Sequence, residues 1–166
     1  TRVGSGPFPS EQDNETGERI RQLGHEFGAT TGRERRCGWI DLPALKYAIM
    51  INGVTELSMM KADVLDQFDK IKVCTHYIHK GEKINYFPYN IDEKVEPIFI
   101  EFDGWNTDLT SSTESDTFPA ELTNYINFLE DELDTPISII SVGPDRKQTI
   151  YNSKHITVCL LYTSDA

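Results

Sequence analysis

The sequence predicts an α/β protein, and three observations carry that prediction. First, segments with helical spacing of apolar residues (Leu42, Leu45, Ala48 and Ile49; Leu122, Ile126, Leu129 and Leu133) alternate with short β-rich runs such as IKVCTHYI and ISIISVG. Second, the strand-like runs end in loops that hold Lys, Asp or Gly, where ligands of open α/β sheets collect. Third, 166 residues suit one ordinary domain and not comfortably two.

Each element has its own local reason. Residues 3–9 hold Gly4, Gly6, Pro7 and Pro9 and read as a tight loop. Ser10 with Asp13 forms an N-cap pattern for a helix over residues 10–23, which Gly24 ends. GATTGRERRCGW, residues 28–39, is a polar loop with three arginines. A second helix runs over residues 41–52 and stops at Asn52 and Gly53. Residues 54–60 read as a buried strand, followed by a loop of Lys61, Ala62 and Asp63 and a short helix from Val64. The β-rich run 71–78 pairs with residues 84–87 as a hairpin, through a turn at Lys80 and Gly81. A further strand covers residues 97–102, and residues 107–119 form a Ser/Thr/Asp-rich surface segment. An amphipathic helix over 119–133 precedes the apolar strand 137–143, which ends in a Gly-containing loop. There is no internal repeat and no low-complexity tract.

Composition narrows the function classes. Lys and Arg number 16 against 27 Asp and Glu, a formal net charge of −11. Such an acidic surface is unsuited to nucleic acid, whose phosphates need clustered Lys and Arg, and to an anionic membrane. No stretch of apolar residues is long enough to span a bilayer, and no secretory signal is visible. Three cysteines without a CxxC pair fit reduced thiols, and so a cytoplasmic location. Both ends look cut. The chain opens at Thr1 inside a loop, and its final octapeptide, CLLYTSDA, resembles the translation of a sequencing-library adapter. The expected division is therefore one unit over 1–150, an uncertain stretch over 151–158 and a non-native tail over 159–166.

Three constellations carry chemistry. In TTGRERR (30–36), three of the chain's seven arginines fall within four positions, beside two hydroxyls and Gly32. An arginine fork matches a carboxylate or phosphate two bonds at a time, so the loop reads as an anion clasp. It reads equally as an exposed loop whose arginines pair with nearby acids. In MKADVLD (60–66), a Lys stands two positions before an Asp at a strand's end. This spacing resembles the Asn-Lys-x-Asp guanine element of GTP-binding proteins. An ionised carboxylate is acceptor-only and can take both the ring N–H and the exocyclic amine of guanine, a pair adenine does not offer. The alternative is that Asp63 caps the following helix. In ISVGPD (140–145), Ser141, Val142 and Gly143 either line a nucleotide or form a plain strand–turn. The histidines form no metal site: His76 and His79 are three apart in a strand-like stretch, so they point to opposite faces, and His25 stands without a ligand partner. There is no Ser/His/Asp or Cys/His set and no GxxxxGK[ST] phosphate loop, and Cys37 reads as structural.

The order of the pieces adds to this. GSGPFPSE, EFGATTGRERRCGWID, MKADVLD, KVC, EPIF with GW, and PISIISVGPDRKQT are collinear from residue 2 to about 150. In that order they resemble the carboxy-terminal part of the adenylosuccinate synthetases, less than half of a full chain of that family. The resemblance implies the carboxy-terminal portion of a P-loop-NTPase-like synthetase fold, with a central mixed sheet, helices and a β-hairpin extension. It implies GTP-dependent ligation of L-aspartate to IMP with Mg²⁺, giving adenylosuccinate on the route to AMP. GTP phosphorylates the purine O6, and the aspartate amine then displaces that phosphate. Residue by residue, Ala29, Thr30, Thr31, Gly32, Arg33, Glu34 and Arg35 match the aspartate-recognising loop. Arg33 also touches the IMP side and Arg35 reaches towards GTP. Lys61, Ala62 and Asp63 match the guanine element, and Ser141, Val142 and Gly143 match a second GTP-contacting loop. Glu34, Ala62 and Ser10 depart from the residues usual in the family. The phosphate loop, the catalytic base and the Mg²⁺ site lie in the family's amino-terminal half. No catalytic or metal-binding residue is therefore assigned here, and the chain alone is expected to do no turnover. The family is homodimeric. The alternative is a non-catalytic guanine-nucleotide-binding module.

Overall fold

The structure, a computed structural model, describes residues 1–89 and 95–155, and among them it has ten helices and strands with five short 3-10 turns. In chain order they are α1 (Glu15–Leu23), β1 (Ile40–Asp41), α2 (Leu42–Asn52), β2 (Leu57–Met59), β3 (Lys70–His79), β4 (Glu82–Ile84), β5 (Glu96–Asp103), α3 (Ala120–Leu133), β6 (Ile137–Ser141) and β7 (Thr149–Tyr151). The readings of residues 156–166, including the expected non-native tail, lie outside the described residues.

The fold is mixed α/β, with its strands divided over two sheets. In the first, β3 is central. It pairs antiparallel with β5 along its length, parallel with β1 at Val73 and Cys74, and antiparallel with β4 at residues 77–79. The β3–β4 hairpin is the extension that the sequence predicts. Lys80 (φ +53°) and Gly81 (φ +84°) are both left-handed, the two-residue turn whose twist matches that of its strands. That tight turn sets His79 opposite Glu82, so β4 begins two residues earlier than the sequence suggests. In the second sheet β6 is central, parallel to β2 and antiparallel to β7.

Local chemistry explains the helices and corrects two expectations. Helix α1 is capped not by Ser10 but by Asn14, whose side chain accepts from the Thr16 and Gly17 N–H groups at 2.9 and 3.3 Å. Ser10 is fully buried, and its hydroxyl donates to the Trp39 carbonyl at 2.8 Å, so it ties the opening loop to the segment before β1. Helix α2 starts on Asp41, which accepts from the Ala44 N–H, and it ends at Gly53. The buried strand expected over 54–60 is shorter and half-exposed: the Val54 N–H is used by the Ile49 carbonyl at the end of α2, leaving only residues 57–59 to pair. Helix α3 buries Leu122, Ile126, Leu129 and Leu133 on one stripe, as its spacing predicts. That stripe, with Ile71, Val73, Trp39, Leu109, Ile140 and Val142, forms the main core. Burying each such Leu or Ile is worth roughly 2 kcal/mol. Among the described residues no helix is long and apolar enough to cross a membrane.

Candidate functional site

The site begins with the parallel pair of β2 and β6. Met59 lies beside Ile140, so both strands release their following residues at the same end of the sheet. Residues 61–63 and 141–143 are therefore neighbours, at the position where open α/β sheets take ligands. Lys61 adopts a left-handed conformation (φ +59°) that turns the chain into the 3-10 turn Ala62–Leu65. Its Nζ donates to the Gly24 carbonyl at 2.6 Å and to Glu26 Oε1 at 2.5 Å. Ala62 is buried. Asp63 does not cap that turn, which has no side-chain cap bond. Its Oδ1 is buried and has no hydrogen-bond partner. Burial raises the Asp63 carboxyl above its ordinary range, against the lowering effects of its own backbone N–H and of Lys61.

Residues 26–35 form a narrow antiparallel loop. The Arg35 N–H donates to the Glu26 carbonyl at 3.0 Å, Gly28 to Arg33 at 2.8 Å, and Gly32 to Gly28 at 2.8 Å. Gly32 sits at φ +63°, where a side chain would be strained. Ala29, Thr30, Thr31 and Gly32 make an exposed tip, and Thr31 Oγ1 accepts from the Arg33 N–H at 3.3 Å. The arginines then diverge. Arg33 is exposed, with no ion pair among the described residues. Glu34 lies 3.7 Å from Arg21 of α1. Arg35 pairs with Glu26 at 2.9 Å. Arg36 pairs with Glu11, donates to the Gly6 carbonyl at 2.6 Å and lies over the Phe8 ring, so it holds the opening loop in place. A cavity of about 630 Å³ beside the loop is lined by Arg2, Arg33, Arg35 and Arg36, with Thr31 and the single acid Glu34. Four arginines border it, in a chain whose net charge is −11.

The two regions meet at a residue that the sequence did not single out. Glu26, 7% exposed, takes Lys61 on one carboxylate oxygen and Arg35 on the other. Burial would raise its carboxyl, but the bonds from Lys61 and Arg35 outweigh it and hold the group below the ordinary range. No local pattern marks Glu26, since Lys61 is 35 residues away. Arg35 thus lines both the arginine cavity and a second one, of about 690 Å³, with Glu26 and Lys61. Asp63 opens onto a third, of about 410 Å³, beside Asp66 and Asp108; this one shares Val64 with the second. Arg33 and Asp63 therefore line different cavities, with Arg35 common to the first and second and Val64 to the second and third. In the other loop Ser141 and Val142 are buried. The Ser141 hydroxyl donates to the Gly143 carbonyl at 3.0 Å and the Val142 N–H to Gln148 at 2.9 Å, leaving Gly143 the half-exposed member. Among the described residues no group of three His, Cys, Asp or Glu side chains is placed to hold a metal ion.

The parallel strand ends with their Lys-x-Asp turn, and the arginine-lined cleft beside them, sit on a mixed α/β fold of the P-loop-NTPase-like synthetase class, the class of its solved structural neighbour. The chain belongs to the adenylosuccinate synthetase family, whose sequence model matches residues 1–150. It is 63% identical over 150 residues to the adenylosuccinate synthetase of Phocaeicola vulgatus and 61% identical to that of Parabacteroides distasonis. In both cases the match covers 90% of this chain, which spans 36% of the length of the relative. The structure of fully ligated adenylosuccinate synthetase from Plasmodium falciparum superposes with a TM-score of 0.85 at 39% identity, covering 91% of this chain and 37% of that one.

Proposed function

We propose that this chain supplies the aspartate- and guanine-recognising part of a ligase that joins L-aspartate to IMP at the expense of GTP, giving adenylosuccinate. The observation that carries the reading is the buried, unpartnered Oδ1 of Asp63 beyond the end of β2. A buried acceptor without a donor is costly in a finished fold, and a ligand with two adjacent N–H groups removes that cost. Guanine has such a pair in its ring N–H and exocyclic amine. The Lys61 stem lies two residues away, and the half-exposed rim at Gly143 supports a second contact to the nucleotide.

Arg33, exposed and without an ion pair among the described residues, is the fork for the aspartate carboxylate and the IMP side, with Ala29, Thr30, Thr31 and Gly32 shaping the loop around it. Arg35, at the base of the same aspartate-recognising loop, also reaches towards GTP. Glu34, which lines the same cavity as Arg33, completes the aspartate-recognising loop. The reaction needs Mg²⁺ to neutralise charge on the transferred phosphoryl group. The described residues do not make such a site, so no step is assigned to the ion here, and no residue of this chain is assigned as a base.

The test is product formation by the intact protein with IMP, L-aspartate, GTP and Mg²⁺, with ATP as the comparison. Adenylosuccinate made with GTP and not with ATP supports the reading. Guanine-nucleotide binding without product would replace it with a non-catalytic binding module.

A further inference from the structure

We propose that Glu26 is a positioning residue that couples guanine recognition to aspartate recognition, a role that rests on the ligase reading above. Its carboxylate is the shared anchor of the two loops. Oε1 takes the Lys61 ammonium at 2.5 Å and Oε2 takes Arg35 Nη1 at 2.9 Å. The Glu26 side chain is 9% exposed, whereas those of Lys61 and Arg35 are 49% and 36% exposed. The acid thus sits inside, with the two cations reaching over it towards the cavity of about 690 Å³ that all three line. Arginine carries five N–H donors in a fixed fork, and the bond to Glu26 uses one nitrogen, so the rest of the fork can serve a ligand.

Two further bonds set the frame. Lys61 also donates to the Gly24 carbonyl, at the end of α1, and the Arg35 carbonyl accepts from Arg21 Nε of that helix at 2.9 Å. Both cations are therefore referenced to one rigid helix end, with Glu26 as the charged link between them. An exposed ion pair in this place would be worth little. A buried carboxylate with two charged donors is different, because without it two cations face each other across a cleft. Neutralising Glu26 then disturbs both loops together. Coupling of this kind is reciprocal: a ligand that orders Arg35 favours the Lys61 arrangement, and the converse holds.

The experiment is steady-state kinetics of the intact protein and its Glu26→Gln variant, which keeps the shape and removes the charge. The expected result is a rise of about tenfold in KM for GTP and for L-aspartate alike, the loss of roughly one charge-assisted bond, with kcat within about twofold of wild type. Glu26→Asp, which keeps the charge on a shorter stem, gives smaller rises in both KM values and is the variant to read if Glu26→Gln does not fold. Unchanged KM values, a rise in only one of them, or a fall in kcat with both KM values intact would each overturn the coupling role. A wild-type protein that uses neither GTP nor L-aspartate would sink the ligase reading itself. A wild type that uses both, with Glu26→Gln indistinguishable from it, sinks only the role of Glu26.

Discussion

Replacing Asp63 by Asn tests the guanine assignment most directly, because the structure leaves that carboxylate unfinished. Its Oδ1 is buried without a donor, and burial holds the carboxyl above its ordinary value of 3.8. In the proposed complex the carboxylate accepts from the ring N–H and the exocyclic amine of guanine. Substitution by an amide removes one charge-assisted bond, worth about 1.5–3 kcal/mol, and sets an N–H against an N–H, for roughly 1–3 kcal/mol more. A total near 3–5 kcal/mol raises KM for GTP by roughly 150- to 5,000-fold. A xanthine nucleotide has a carbonyl where guanine has the amine, so the amide can donate to it and the variant should prefer it. The assay is adenylosuccinate formation by the intact protein at saturating IMP and L-aspartate, with the triphosphates of guanosine and xanthosine compared. Stability moves the other way. A carboxyl whose folded value is raised favours folding while it is protonated and costs stability as pH rises through that value. The variant should therefore melt at or above the wild-type temperature at pH ~7, and the gain should fade at acid pH, where the wild-type carboxyl is neutral in both states. An unaltered preference for GTP would refute the reasoning, whatever the melting temperature does.

Three other predictions are independent of that one. Arg33→Ala should raise KM for L-aspartate by roughly 30- to 150-fold, the loss of a fork worth about 2–3 kcal/mol, and leave the melting temperature unchanged because Arg33 is exposed; equal aspartate kinetics would remove it from the site. Glu130 accepts from the Ile137 N–H, Lys154 and His155; burial raises its carboxyl, but these bonds outweigh that and hold it below its ordinary value of 4.5. Its stabilisation is present above that value and lost as pH falls through the depressed one. Glu130→Gln should thus cost about 1–2 kcal/mol in urea unfolding at pH ~7, and progressively less as the pH falls below the ordinary carboxyl value. Burial, with the nearby Asp41 charge, pushes the Cys74 thiol up to about 12, so alkylation at pH ~8 should spare it in the folded protein and reach it in urea, as peptide mass spectrometry would show.

What could be read from the sequence was whatever depends on near neighbours. The stripe of Leu122, Ile126, Leu129 and Leu133 repeats at helical spacing, so α3 follows from its own residues. Lys80 and Gly81 announce the β3–β4 turn for the same reason, and Lys61, Ala62 and Asp63 announce the turn after β2. The failures have the opposite origin. Ser10 has the chemistry of a cap, but Trp39, 29 residues away, claims its hydroxyl. The strand expected over 54–60 loses its first residues to the end of α2, a contest that spacing cannot reveal. Glu26 looks like one more acid among 27 Asp and Glu until the fold sets Lys61 against it.

The arginines of one short loop show how structure separates what composition leaves equivalent. Arg33, Arg35 and Arg36 share a charge, a fork and nearly a position. Arg36 spends its donors on Glu11 and on the Gly4 and Gly6 carbonyls, and so fastens the opening loop. Arg35 shares Glu26 with Lys61, half committed to the fold and half open to a cavity. Arg33 has no ion pair among the described residues and stands at the cleft with its fork unspent. Asp63 is its counterpart of opposite sign, with a buried Oδ1 that has no hydrogen-bond partner. Ser10, Asp66, Glu130 and Asn152 show the rule that buried polar groups find partners, whereas Asp63 Oδ1, like Trp39 Nε1 and Asp41 Oδ2, has none among the described residues. An exposed arginine fork in one loop and a buried acceptor in the other, with Glu26 tying Arg35 of the first to Lys61 of the second, are the local departures from self-sufficiency that a binding site requires.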